Sequence, residues 1–142
     1  MDVFKLKQKF EKESNNSLTN DEFQILVLIY PVFLVANADG VFDEQEKDFV
    51  KEILFNFLNP IYKNELTNEQ YDILIDNYIS DLEFLKINKT SFHDEFLSIL
   101  KNYDIEIKNS ISGLLDDVAN ASGGLSDVEK KIIINLKTHY LS

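Results

Sequence analysis

Residues 35–46, VANADGVFDEQE, recur as residues 118–129, VANASGGLSDVE, and the two stretches are identical at six of twelve positions. In each stretch a glycine is followed three residues later by a good helix N-cap residue, Asp43 or Ser126. A glutamate follows that residue at the capping-box spacing, which marks the start of a helix. The duplication therefore predicts two related corners, each joining one helix to the next.

The sequence predicts further helix starts elsewhere in the chain. Thr19 with Glu22 and Thr67 with Gln70 also have the capping-box spacing. Apolar residues between these starts recur with helical period, and no segment shows the alternation typical of a strand. Only two prolines and four glycines interrupt the chain, so we expect no linker. The sequence predicts one all-α domain over residues 1–142, a single-domain bundle of about seven helices with two pseudo-repeated helix-corner motifs.

The composition is typical of a domain that folds without disulfide bonds or a structural metal. Apolar residues make up 44% of the chain, and the chain has no cysteine, so zinc–thiolate sites, disulfides and thiol nucleophiles are excluded. The most apolar stretch, residues 25–36, is shorter than the roughly 20 residues of a membrane span, and we expect a buried core helix there. The lysine-interleaved start does not resemble a signal peptide. We therefore expect a cytoplasmic protein that does not span a membrane.

The charge of the chain limits its partners. The formal net charge is −11, and all 14 basic residues are lysines. Because the chain lacks the guanidinium fork and would repel phosphate backbones, we expect no nucleic-acid binding. An acidic surface instead favours cations or the basic surface of a protein partner, although it can also serve solubility alone.

The first corner concentrates oxygen donors that suit Ca²⁺, Mg²⁺ or Mn²⁺. Four of them lie within ten residues: Asn37, Asp39, Asp43 and Glu46. These residues and Gly40 match positions of the twelve-residue calcium loop, but Val35 occupies the position of the first ligand. We therefore expect a shared corner geometry and not a true EF-hand.

A purely structural interpretation accounts for part of this pattern. Asp43 can cap the helix, Glu46 can return to the backbone, and Gly40 can supply a left-handed residue. That interpretation does not require Asp39, nor does it require Glu46 to lie one turn before Val50, on the inward side of the helix. The sequence thus predicts a divalent-cation site at Asp39, Asp43 and Glu46, with a metal-free turn as the alternative.

The second corner is a weaker version of the first. Ser126 and Glu129 occupy the positions of Asp43 and Glu46, but Ser122 replaces the first aspartate. We therefore expect a cation to be held there more weakly or not at all.

Ala38-Asp39-Gly40 followed by Glu46, repeated as Ala121-Ser122-Gly123 followed by Glu129, resembles the TerB-like family of tellurite-resistance proteins. The resemblance spans residues 19–141. It implies a small, largely cytoplasmic, all-helical protein with two related halves, whose acidic corner residues are proposed to bind divalent cations. By this resemblance, Asp39, Asp43 and Glu46 would be the cation-binding positions, and Ser122 departs from the acidic pattern.

The sequence offers little for catalysis. It has no Gly-Lys-Ser/Thr loop, and its only histidines, His93 and His139, are expected at the surface near helix ends. We predict no catalytic residue and no organic cofactor. The favoured hypothesis is a metal-responsive interaction module in a tellurite or stress-resistance type of system. The alternative is a metal-independent acidic module, such as an immunity or antitoxin-type inhibitor of a basic partner, and a carboxylate–metal hydrolase is the least favoured.

Overall fold

The computed structural model describes residues 2–40, 42–121 and 126–142. Within these ranges the chain forms seven α-helices and no β-strand, so the predicted all-α bundle is confirmed. A turn over residues 101–104 separates the fifth helix from the sixth. The helices are α1 (Val3–Ser14), α2 (Asn20–Ala36), α3 (Glu44–Tyr62), α4 (Asn68–Ile87), α5 (Lys89–Leu100), α6 (Ile105–Ala121) and α7 (Asp127–His139).

Helix α2 lies at the centre of the bundle. Its apolar residues cover almost every face, and α2 contacts each of the other six described helices. A helix that is apolar all round is stable only when other elements surround it, which is the arrangement found here. Pro31 lies inside α2 and is buried, so its missing N–H removes one backbone hydrogen bond without ending the helix.

An aromatic cluster joins α1, α4 and α5 to α2. The ring of Phe10 lies 5.8 Å from that of Phe23, 5.7 Å from Phe84, 6.0 Å from Phe92 and 6.3 Å from Phe96. Several of these pairs meet edge to face, a favoured geometry for aromatic rings. Each fully buried ring adds roughly 1.5–3 kcal/mol of hydrophobic stabilisation. The cluster therefore fixes one side of the bundle.

All four predicted capping boxes are present, at the starts of α2, α3, α4 and α7. Three carboxylic acids are buried among the described residues: Glu46, Asp81 and Glu129. Two of the three are the corner glutamates, as their inward helix positions predict. No helix in the described ranges is long and apolar enough to cross a membrane.

Candidate functional site

The first corner turns tightly between α2 and α3. The backbone N–H of Asn37 donates to the carbonyl of Phe33 at 2.9 Å, and that of Gly40 donates to the carbonyl of Asn37 at 3.0 Å. Gly40 has φ of +84°, in the left-handed region that glycine adopts without a Cβ clash. The ring of Phe42 then meets Phe33 edge to face at 5.3 Å and holds the loop against α2. Asp39 lies within this tight turn, and Asp43 follows it as the N-cap of α3.

The capping box of α3 orients two of the predicted ligands. The Oδ1 atom of Asp43 accepts from the backbone N–H of Glu46 at 2.8 Å, and Oε1 of Glu46 accepts from the N–H of Asp43 at 3.4 Å. Glu46 is only 4% exposed. The structure thus brings Asp43 and Glu46 into direct contact and holds Glu46 inward, while Asp39 is exposed in the loop.

The three carboxyl groups form one electrostatic neighbourhood. Burial raises the pKa of Glu46 from its ordinary value to about 7, and a hydrogen bond from the backbone of Asp43 opposes that shift. The side chain of Asp43 and the negative charge of Asp39 raise it further. Because burial, and to a lesser degree the like charges, disfavour ionisation, the pKa of Glu46 lies above that of an exposed glutamate.

The second corner repeats the capping geometry around a less acidic set of residues. The Oγ atom of Ser126 accepts from the N–H of Glu129 at 3.1 Å, and Oε1 of Glu129 accepts from the N–H of Ser126 at 3.3 Å. Glu129 is 7% exposed, and its buried Oε2 atom has no hydrogen-bond partner among the described residues. Ser122, which departs from the acidic pattern of the first corner, lies outside the described residues, as does Gly123.

The chemistry of the first corner fits a hard cation better than its geometry does. Carboxylate oxygens are the donors that Ca²⁺ and Mg²⁺ prefer. However, in the described part of the chain no three His, Cys, Asp or Glu side chains are arranged to hold a metal ion. Asp39, Asp43 and Glu46 therefore do not form a ready cage, and they would have to close around an ion in order to bind it.

A cavity of about 320 Å³ lies close to this corner, between the end of α2, the end of α4, α5 and α7. His93 lines it and is half-buried, so the prediction of a surface position is wrong for His93, whereas His139 is exposed. The Nδ1 atom of His93 lies 2.8 Å from the buried hydroxyl of Tyr30. This pair could not be predicted from the sequence, because its members are 63 residues apart.

Asp81 is a buried carboxyl group that was not predicted from the sequence. Its two oxygens accept from Nδ2 of Asn16 at 2.9 and 3.1 Å, which ties the segment after α1 to α4. Burial raises the pKa of Asp81 to about 6, although the hydrogen bond from Asn16 opposes the shift. The inward phase of Asp81 on α4 was the only sequence signal that could have singled it out.

Comparison of the chain with protein-family models, curated proteins and solved structures finds no match. The resemblance to the TerB-like family therefore depends on the corner residues alone.

Proposed function

We propose that this protein is a non-catalytic, cation-responsive interaction module. A divalent cation such as Ca²⁺, Mg²⁺ or Mn²⁺ would bind at Asp39, Asp43 and Glu46 and fix the angle between α2 and α3, and thereby shape a surface for a protein partner. The proposal includes TerB-like membership and a cytoplasmic role in a tellurite or stress-resistance type of system. The observation that carries it is the buried carboxyl of Glu46 with the charges of Asp43 and Asp39 acting on it.

This arrangement opposes ionisation of Glu46 in the metal-free protein. A cation between the carboxylates would replace repulsion by attraction and would favour the ionised form of Glu46. Cation binding would therefore release a proton from Glu46 near neutral pH. Asp39 and Asp43 would supply the remaining side-chain oxygens, with waters or backbone carbonyls completing the shell.

Cation binding at the first corner could affect the whole bundle, because this corner directly follows the central helix α2. Helices α2 and α3 form one of the most extensive contacts in the bundle, and α2 also contacts every other described helix. A cation that closed the turn after α2 would change the free energy of unfolding through the contact between α2 and α3. Two-state changes of helix angle on cation binding are a known way of exposing partner surfaces.

The direct test is thermal unfolding of chelator-stripped protein titrated with Ca²⁺, Mg²⁺ and Mn²⁺ at constant ionic strength. A cation at 100 times its dissociation constant adds about 2.7 kcal/mol to the free energy of unfolding. We expect a saturable, ion-selective stabilisation that disappears in Asp39→Asn. Asp48→Asn is the matched control, because Asp48 is exposed on α3 and loses the same charge. Equal stabilisation of both variants, or none in the wild type at millimolar cation, contradicts the proposal.

A second candidate is a metal-independent acidic module that binds a basic partner, as an immunity or antitoxin-type inhibitor would. Two observations favour it: Asp43 and Glu46 already satisfy each other in the capping box, and the described residues contain no three-ligand group suited to a metal. Association driven by the net charge of −11 should weaken steeply with salt and be insensitive to chelator. Chelator-sensitive association with the same partner excludes this candidate.

A further inference from the structure

The cavity near the end of α2 differs in charge from the rest of the molecule. The chain carries 25 acidic residues against 14 lysines, yet the charged side chains among the described residues lining this cavity are all lysines. They are Lys86 on α4, Lys89 on α5 and Lys131 on α7. The cavity is therefore a local positive site in an acidic protein, which is the opposite of what the net charge would place there.

The negative charge of Asp94 acts on Tyr30 and His93 in the same cavity, but no carboxylate among the described residues forms an ion pair with these three lysines. The ion pairs formed within the described ranges involve other lysines, and none includes Lys86, Lys89 or Lys131. Lys86 instead extends from α4 towards the end of α2, where its Nζ atom lies 3.4 Å from Oδ1 of Asn37. All three side chains are exposed, so they can move to meet an anion at the mouth of the cavity.

The remaining lining is mostly apolar and comes from α2, α5 and α7, together with Asn37 and Ala38 of the corner after α2. It includes Phe33 and Leu34 of α2, Leu97 of α5, and Ile132 and Leu136 of α7. Phe33, Leu97 and Leu136 are buried core residues, so this wall is held in place by the bundle. At about 320 Å³ the cavity is at the small end of ligand pockets, which span roughly 300–1,000 Å³.

His93 adds a fixed polar group to the same cavity. Its ring meets that of Tyr30 edge to face at 5.8 Å, in addition to the hydrogen bond between Nδ1 and the hydroxyl. Burial lowers the pKa of His93, Lys89 lowers it further, and Asp94 opposes both. When the Tyr30 hydroxyl donates to Nδ1 of the neutral ring, the proton resides on Nε2, which is then a hydrogen-bond donor.

We propose that this cavity binds a small organic carboxylate with an apolar body, such as a medium-chain fatty acid. The carboxylate would lie among the ammonium groups of Lys86, Lys89 and Lys131, and the apolar body would pack against the wall formed by α2, α5 and α7. Inorganic phosphate would leave that wall uncovered, and a neutral alcohol of the same length would leave the lysines without a counter-charge. Asp39, Asp43 and Glu46 do not line the cavity, but Asn37 and Ala38 of the same corner do, so ligand binding is tested separately from cation binding.

The test is a titration of ¹⁵N-labelled protein with octanoate, 1-octanol and inorganic phosphate, followed by amide chemical shifts. Octanoate should give saturable shifts at Leu34, His93 and Ile132. We expect octanol to bind at least about fivefold more weakly, in line with the loss of partly exposed charge interactions, and phosphate to shift few of the lining amides. Equal affinity for octanoate and octanol, equal affinity for phosphate, or the absence of saturable shifts overturns the proposal.

Two neighbouring lysines provide a matched pair of variants. Lys130 and Lys131 are both exposed on α7, but only Lys131 lines the cavity. Lys131→Glu should weaken octanoate binding by about fivefold to tenfold, because it replaces an attraction by a repulsion, whereas Lys130→Glu should stay within about twofold. Equal effects of the two reversals contradict the assigned position of the carboxylate.

Leu34→Trp tests the apolar part of the site without changing charge. Leu34 is half-buried and lines the cavity, so an indole there should occupy space needed by the ligand. We expect octanoate binding to be lost while the far-ultraviolet circular dichroism of the variant is unchanged. Undiminished binding by a folded Leu34→Trp protein contradicts the site, and the lysine pair decides the question if this variant does not fold.

Discussion

The corner between α2 and α3 and the corner between α6 and α7 share a capping box and an inward glutamate, but they differ in charge. Glu46 and Glu129 are both nearly inaccessible, at 4% and 7% exposed. Asp43 caps the first helix, and Ser126 caps the second. The inward glutamate thus belongs to the shared architecture, whereas the extra carboxylates belong only to the first corner. Any cation-dependent function must use that difference.

The capping hydrogen bonds to the corner glutamates are longer than those in the other two capping boxes. At the two corners, the bond from the N-cap N–H to the glutamate is 3.4 and 3.3 Å long. In the boxes that start at Thr19 and Thr67, the corresponding bonds are 2.9 and 2.8 Å. Shorter bonds are closer to ideal geometry. The corner glutamates therefore retain a weaker cap while they are buried in the bundle.

The largest expected effect comes from the buried residues that follow each corner. Ile53 and Leu136 occupy equivalent positions in the two corners, 83 residues apart, and are 5% and 2% exposed. Ile53→Ala and Leu136→Ala should each lower the free energy of unfolding by about 2–5 kcal/mol in urea denaturation. Leu136 borders the cavity and should lie nearer the lower value. A loss below about 1 kcal/mol in either variant contradicts equivalent packing at the two corners.

The pH dependence of stability should distinguish the first corner. The pKa of Glu46 is raised to about 7, so between pH 4.5 and 7 the folded state binds more protons than the unfolded state. Stability from this group is full below pH 4.5 and is lost as the pH rises through 7. Glu46→Gln should remove a decline on the order of 2–3 kcal/mol, measured by urea unfolding at pH 4.5 and 8.

Two features of the chain make Glu46→Gln interpretable. Gln70 already serves in the box of Thr67, so glutamine can preserve the cap. Asp81, whose pKa is raised to about 6, lowers stability with rising pH equally in the wild type and in Glu46→Gln. The difference in this decline between the two proteins therefore reports Glu46 alone. If wild type and Glu46→Gln show the same decline, Glu46 does not titrate as the geometry indicates.

Giving the first corner the serine N-cap of the second should make the two corners more alike with only a moderate loss of stability. Asp43→Ser retains a capping oxygen but removes a negative charge beside Glu46, so we expect a lower pKa for Glu46 and little loss of stability. Asp43→Ala and Ser126→Ala should each cost about 1 kcal/mol in chemical denaturation, because each loses a cap. If Asp43→Ser lowers the free energy of unfolding as much as Asp43→Ala does, serine does not replace the cap of Asp43.

The smallest expected effect concerns the surface of the second corner. Nζ of Lys137 on α7 lies 2.9 and 2.8 Å from the two carboxylate oxygens of Asp116 on α6, and both side chains are partly exposed. Asp116→Asn should change the free energy of unfolding by less than about 1 kcal/mol, and by still less in high salt. A larger change that persists at 1 M salt contradicts the assignment of this pair to solvent-exposed electrostatics.

Local signals made most of the fold predictable. Capping boxes are formed by residues three apart, so Thr19, Asp43, Thr67 and Ser126 could be recognised as helix starts from the sequence. The all-round apolar character of α2 indicated its central position, because only neighbouring helices can cover such a surface. The buried corner glutamates followed from their spacing to the apolar residues one turn later.

Contacts between distant residues were not predictable in this way. Asn16 contacts Asp81 across 65 positions, and Tyr30 contacts His93 across 63. Helical periodicity reveals which face of a helix is buried, but it does not reveal which helix covers that face. The cavity and its three lysines depend on the packing of four helices, and therefore became apparent only in the folded chain.

The most direct test of the cation-responsive corner is a pH titration of the Glu46 carboxyl by ¹³C NMR, with and without saturating Ca²⁺. Without the cation we expect a pKa near 7. With the cation, the pKa should fall by about 2 units or more, since a bound positive charge favours the ionised form. A pKa near the ordinary glutamate value without Ca²⁺, or a raised pKa that Ca²⁺ leaves unchanged, would contradict the account.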